Sequence, residues 1–403
     1  MLELKDFEMA ADRLKNVIHN IPLSTSCTFS AMTGAEVYLK FENQQKTGSF
    51  KVRGAYNKIM KRYAEGGLHA VVASSAGNHA QGVAFAASSV GVKSTIVMPR
   101  STPIAKVSAT QGYGAEVVLA GNIYDEAYAK ACEICEETGA EFIHPFDDED
   151  VMAGQGTIAL EILRDLPFVD MIFVPAGGGG LISGVAACAK QINPRIQVIG
   201  VQAEGAPAIA NSFRAGTLTP SEGVRTIADG IAVKTPGENT FQYIQKYVDR
   251  VVTVSDDEIA SAVLLLLERA KQVVETSGAA SLAAVLNSKV DVKGKKVVCL
   301  LSGGNIDVSF IHKIVEKGLV TRCRHLKFST VMPDAPGALE RFAHLVAEQN
   351  ANIIRFQHDR VQADLDIGEA IIQVVCEVGG VEHAKRLLDE MSRQGYQVFT
   401  SQI

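Results

Sequence analysis

The chain has 403 residues, 47% apolar and 21% charged, the balance of an ordinary globular protein with room for two or three domains around a large core. A net charge of −6 without any basic run gives nucleic acid or an anionic membrane surface no electrostatic hold. No apolar run is long enough to span a bilayer, the first residues lack a signal-peptide pattern, and seven cysteines without metal-ligand spacing fit a reducing, cytoplasmic compartment.

In chain order, residues 1–20 read as a helix with Leu14, Val17 and Ile18 on one face. An alternating segment over 37–41 leads into a polar turn, 42–47. Then Val52, Ala55, Tyr56, Ile59 and Met60 recur at helical spacing. Strand patterns follow at 71–74, 94–98, 116–119, 141–143, 171–174, 197–202, 251–254 and 296–301. Helical patterns lie between them at 81–90, 104–114, 123–138, 158–166, 181–192, 258–273 and 279–286. Buried-type strands alternating with helices predict an α/β fold of open parallel sheets with helices on both faces, and the strand number suits two such lobes meeting at a cleft. This catalytic-sized region, 1–318 with its smaller lobe near 45–150, gives way to a connector over 319–326 and a module over 327–403. There strands at 325–332, 352–358, 369–378 and 396–402 alternate with helices at 337–348 and 381–393, in the order of a ferredoxin-like α+β fold.

Four features fall at the C-terminal ends of predicted strands, where open α/β sheets bind ligands. Lys51, between Phe50 and Val52 in the first turn of a helix, is poorly placed for a charge. Apolar neighbours and the positive helix end both lower its pKa, as a nucleophile or proton carrier requires. The turn Ser75-Ala76-Gly77-Asn78-His79 offers the outward amides of a new helix to an anion such as a carboxylate. Gly177-Gly178-Gly179-Gly180 ahead of Leu181 is costly in chain entropy, and it suits backbone amides converging on a phosphate monoester. It is neither a P-loop nor the spaced fingerprint of dinucleotide folds. Ser302, heading Ser302-Gly303-Gly304-Asn305, places a hydroxyl at a strand end. Taken singly, each has a plainer reading: a surface lysine, a capped turn, a flexible loop, a simple turn. Together a low-pKa lysine, a phosphate cup, a carboxylate cup and a neutral hydroxyl suggest pyridoxal phosphate, whereas spacing alone reaches only a phosphate-cofactor enzyme.

At these residues the chain resembles the fold-type II (tryptophan synthase β-like) pyridoxal phosphate enzymes, and among them the threonine dehydratases, or threonine ammonia-lyases. The matching stretches are 46–55, 75–82, 144–147, 154–157, 177–181, 228–233 and 302–305, spread over essentially all of 1–318. The resemblance implies Lys51 as the Schiff-base lysine, with Phe50 beside it at the cofactor, and as the base for the substrate Cα. It implies Asn78 as partner of the cofactor's ring oxygen, Gly177 to Leu181 as the phosphate cradle, and Ser302 at the pyridine nitrogen. The loop from Ser75 to His79 would receive the substrate carboxylate. The implied reaction is loss of the β-hydroxyl from L-threonine, and from L-serine, giving 2-oxobutanoate or pyruvate and ammonia. A hydroxyl rather than a carboxylate at the ring nitrogen favours that elimination. The similar serine racemases carry a serine as second proton carrier where this chain has Ala76, which disfavours racemisation. The racemase-type metal site is incomplete: Glu204 is present but its companion position falls near Ala210, so no metal is expected. His144 and Glu275 lie in family-like contexts without an assigned role. The remaining alternative is an amino-acid sensor that has lost catalysis.

Residues 333–339 and 350–353 resemble an ACT domain. That implies an amino-acid effector, isoleucine or valine, near Asp334, Pro336, Gly337 and Asn352, and subunits paired in a dimer or tetramer.

Overall fold

Strands buried on both faces can pair only in a sheet covered on both sides, and the apolar runs do so here. In a computed structural model describing residues 1–361 and 366–400, the chain forms two compact units, 1–306 and 307–403. In the first unit the strands Glu36–Phe41, Lys296–Leu301, Met171–Pro175, Gln197–Ala203 and Arg250–Val254 lie side by side in that order, all parallel, with Ser24–Thr25 antiparallel at one edge. Met171–Pro175 is buried at every position, as a central parallel strand should be. A second sheet orders Glu116–Leu119, Lys93–Met98, Ala70–Ser74 and Glu141–Phe142, again all parallel.

Glycines let the helices around these sheets approach backbone to backbone. A Cβ on Gly184, in the helix Gly180–Ile192, would lie 2.2 Å from the Met152 carbonyl oxygen in Glu149–Asp165. One on Gly82, in Asn78–Ser89, would lie 3.2 Å from the Lys51 carbonyl. The helix Lys51–Glu65 is further anchored by Arg53, which is fully buried. Its five N–H groups all donate: two to Glu42 at 2.8 Å, two to Glu161 at 2.6 and 2.9 Å, and one to Thr157 at 3.1 Å. Lys40 adds a second buried cation, 2.6 Å from Glu161, so the buried Glu42 and the largely buried Glu161 face two buried cations. Stranding one member of such a set costs about 3–5 kcal/mol, so the helix that starts at Lys51 is held hard in place.

The structure extends and divides some of the expected elements. The helix expected from 158 begins at Glu149, where Asp148 caps the Val151 amide at 3.0 Å. Gly154 and Gly156 break its apolar periodicity because the Gly54 region and Phe7 pack against them. The helix expected from 81 already starts at Asn78. The one expected over 258–273 is α-helical only for Asp256–Leu265, with a π-turn over Leu266–Ala270 and a left-handed Lys271. The expected helix over 1–20 is Leu4–Leu14, and Cys27–Thr33, Ala208–Ala215 and Glu238–Tyr247 are additional helices.

The second unit opens with a helix, Val308–Thr321, running into residues expected as connector, and the strand His325–Pro333 follows. The antiparallel sheet orders Asn352–Asp359, Glu369–Glu377, His325–Pro333 and Gln397–Phe399, and residues 401–402 of the last expected strand lie outside the described residues. The helices Ala338–Glu348 and Val381–Arg393 bury Phe342, Leu387 and Met391 with Leu326, Phe328, Ile372 and Val374. Among the described residues no helix is long and apolar enough to cross a membrane.

Candidate active site

The C-terminal strand ends of the first unit surround a cavity of 1220 Å³. Phe50, Lys51, the turn from Ser75 to His79, Gly177 to Leu181 and Ser302 all line it, so folding brings the sequence-predicted residues of this unit to one place. Lys51 begins its helix, and its Nζ donates to the Pro145 carbonyl at 2.6 Å, 5.3 Å from the centre of the Phe50 ring. Desolvation lowers its pKa to about 8, with the nearby Glu275 pulling the other way.

The glycine run is required by close approach at every position. Added Cβ atoms would lie 3.0 Å from Ile231 Cα at Gly177, 2.4 Å from the Phe146 ring at Gly178, 2.7 Å from Thr240 Oγ1 at Gly179, and 2.8 Å from Phe146 Cα at Gly180. Gly179 also has φ +103°. Thr240 Oγ1 donates to the Gly178 carbonyl at 2.7 Å, and Asp147 accepts from the Thr240 amide at 2.9 Å, which locks the loop to the segment 145–147. The first amides of the helix Gly180–Ile192, without intrahelical acceptors, thus begin at a fixed point on the cavity wall.

Asn78 opens its helix, donating through Nδ2 to Glu275 at 2.8 Å and accepting through Oδ1 from Asn305 at 2.7 Å. His79 lies behind the turn: its buried Nε2 donates to the Ile143 carbonyl at 2.8 Å, and burial followed by repulsion from Lys51 lowers its pKa to about 3, so it is a neutral brace. His144 Nδ1 accepts from the Asp147 amide at 2.7 Å, and burial lowers its pKa as well. Ser302 is buried, and its carbonyl accepts from the Phe50 amide at 3.1 Å, tying the last strand to the Lys51 helix. Ala76 leaves the turn without a side-chain proton carrier at that position.

Sequence reasoning left Glu275, Asn305 and the 145–147 segment without roles. Glu275 is 6% exposed, and burial, with repulsion from Asp229 added, raises its carboxyl pKa to about 7 against hydrogen bonding from Asn78 and the cations Lys106 and Lys51. The available signal was an acid heading the helix Thr276–Leu286 directly after the apolar pair Val273 and Val274.

In the second unit, Asp334, Pro336 and Gly337 share the turn before Ala338–Glu348, with Gly337 at φ +81°. Asn352 pairs with Glu377, which pairs with His325, whereas Pro333 pairs with Glu369. Asn352 therefore stands at the opposite end of the sheet from that turn. Glu204 is exposed, 3.9 Å from Lys289, and Ala210 is buried.

The family profile described as "Pyridoxal-phosphate dependent enzyme" matches residues 14–303. An L-threonine ammonia-lyase of Thermotoga maritima is 51% identical over 398 residues, 99% of both chains. The chain belongs to the L-threonine ammonia-lyase family of pyridoxal-phosphate dependent enzymes. Solved relatives include the processed form of a threonine deaminase from Solanum lycopersicum, 39% identical with TM-score 0.74, covering 78% of this chain and 94% of its own. Maize serine racemase is 36% identical with TM-score 0.74, over 79% of this chain and 98% of its own.

The residues present fit that cofactor. The glycine run leaves a cradle that side chains would fill, a lysine of lowered pKa lines the same cavity, and the buried hydroxyls of Ser74 and Ser277, both lining it too, have no hydrogen-bond partner among the described residues.

Glu275 makes stability pH-dependent with a defined sign. Between its ordinary value of 4.5 and its folded value of about 7 the folded chain holds a proton that the unfolded chain releases. Its stabilising contribution is complete below 4.5 and is lost as pH rises through 7. In thermal unfolding of the cofactor-free protein, wild type should therefore lose stability relative to Glu275→Gln across this window, and parallel profiles would contradict the assignment.

Proposed function

We propose that the chain deaminates L-threonine, and L-serine, by eliminating the β-hydroxyl to give 2-oxobutanoate, or pyruvate, and ammonia. The observation that carries the reading is a single cavity lined by both a lysine of lowered pKa and the packed glycine run, in a chain 51% identical end to end to an L-threonine ammonia-lyase. When bound there, pyridoxal phosphate supplies the electron sink that makes a Cα proton removable. The amides from Gly177 to Leu181 would hold its phosphate, Asn78 would meet its ring oxygen, and Ser302, a neutral hydroxyl, would meet its ring nitrogen; all line the one cavity. The Ser75 to His79 turn holds the substrate carboxylate at a helix N-terminus. Lys51 Nζ, half deprotonated near pH 8, takes the Cα proton. With Ala76 where the similar serine racemases carry a serine, the turn supplies no second proton carrier at that position, which favours elimination over racemisation.

The second unit, with its βαββαβ order, supports an ACT-type regulatory role for 327–403. Isoleucine or valine would bind through its carboxylate at the turn Asp334, Pro336 and Gly337. Because Asn352 lies at the other end of the sheet within one copy, it would join that site only from a second copy, which fits a homo-oligomer.

Lys51→Ala should remove the visible absorbance of the bound cofactor and lower ammonia release from L-threonine about a thousandfold or more, and a retained wild-type rate would overturn the assignment. Added isoleucine or valine should shift the KM for L-threonine, whereas indifference to both would leave the second unit without its effector.

A further inference from the structure

The turn just ahead of the Lys51 helix is strained, and the strain has a geometric product. Thr47 has φ +62° and ψ 10°, a left-handed conformation that a β-branched side chain disfavours, and Gly48 follows at φ +71°. Bent this way, the Thr47 carbonyl accepts a hydrogen bond from Asn305 Nδ2 at 2.8 Å. A carbonyl oxygen only accepts, so this contact decides which end of the Asn305 amide is nitrogen. The same nitrogen donates to Asn78 Oδ1 at 2.7 Å, which turns the Asn78 nitrogen to the other side, where it donates to Glu275 at 2.8 Å. Glu275 is fixed in turn by its amide, which donates to the Gly303 carbonyl at 3.0 Å.

Two glycines hold the path open. A Cβ on Gly48 would lie 2.5 Å from Asn305 Oδ1, and one on Gly303 would lie 2.4 Å from Glu275 Oε1 and 3.1 Å from Asn78 Nδ2. The polarity of the chain is therefore set at one end: the Thr47 carbonyl, which can only accept, fixes Asn305 Nδ2 as the donor to Asn78, and Asn78 in turn donates to Glu275.

We infer that Asn305, oriented by the left-handed Thr47 carbonyl, is a positioning residue that sets the direction of the Asn78 amide. One Nδ2 hydrogen of Asn78 is spent on Glu275, and the second is left for the ring oxygen of the cofactor in the cavity that Asn78 and Asn305 both line. With the amide reversed, Asn78 would present its own oxygen to that oxygen, replacing attraction by repulsion. The inference rests on the reading of Asn78 as the ring oxygen's partner.

Asn305→Asp tests it with almost no change of shape. An aspartate cannot donate to Thr47 or Asn78, so the Asn78 amide must turn. Asn305→Ala removes the donor without adding charge, and thermal unfolding of each cofactor-free variant confirms folding. After loading with pyridoxal phosphate, the visible band of the lysine-bound cofactor is followed against pH, and cofactor dissociation is measured by equilibrium dialysis. The Asn305 variants and Asn78→Ala should displace the band's pH midpoint in the same direction and weaken the cofactor by about tenfold each, the scale of one lost hydrogen bond. Wild-type band and affinity in both Asn305 variants, with Asn78→Ala altered, would overturn the role of Asn305. If Asn78→Ala itself changes neither, the reading of Asn78 fails and the inference falls with it.

Discussion

The structure depends on keeping one amine where a cation is unwelcome. Lys51 stands at the positive end of a helix, desolvated and with its Nζ against a backbone carbonyl, and its pKa falls to about 8. A flexible side chain would leave such a place for water, so the protein removes the freedom around it. Two residues on, Arg53 spends all five donors on Glu42, Glu161 and Thr157. On the neighbouring helix Gly82 lets the backbones close to touching, and the Phe50 amide is bonded to the Ser302 carbonyl at the end of the last strand. The unfavourable position of the amine is held by favourable contacts elsewhere.

The same logic explains the glycine run. Chain entropy argued that four glycines must be used for something, and the structure shows two uses at once. They line the cavity where the helix Gly180–Ile192 begins, and they let Phe146, Thr240 and Ile231 press against the loop. A loop already packed this way would need little further ordering to hold a phosphate.

Much of the fold and of the site was legible in the sequence where one physical signal dominated. Parallel strands showed as apolar runs between helical periods; Gly177 to Gly180 and Ser302 follow such runs closely, and Lys51 follows one after a polar turn. The start of Glu149–Asp165 was hidden because Gly154 and Gly156 are chosen for close packing and erase the apolar stripe. Val308–Thr321 was read in part as connector because only Ile314 of that helix is buried. Glu275 and Asn305 stood in recognisable contexts but received no role, because their meaning lies in contacts of 2.7–2.8 Å with Asn78 across more than 190 residues of chain, which no local pattern encodes. The strained Thr47 is of the same kind, since nothing in its neighbours' composition marks a left-handed threonine.

The central claim is that this cavity removes the Cα proton on one face and expels the β-hydroxyl, with no side chain at Ala76 to return a proton from the other. The most direct test follows L-threonine and L-serine with the purified, cofactor-loaded protein, measuring oxo acid, ammonia and D-amino acid in the same sample. The account predicts oxo acid and ammonia in equal amounts with no D-isomer above background. D-serine or D-threonine formed faster than ammonia would contradict it.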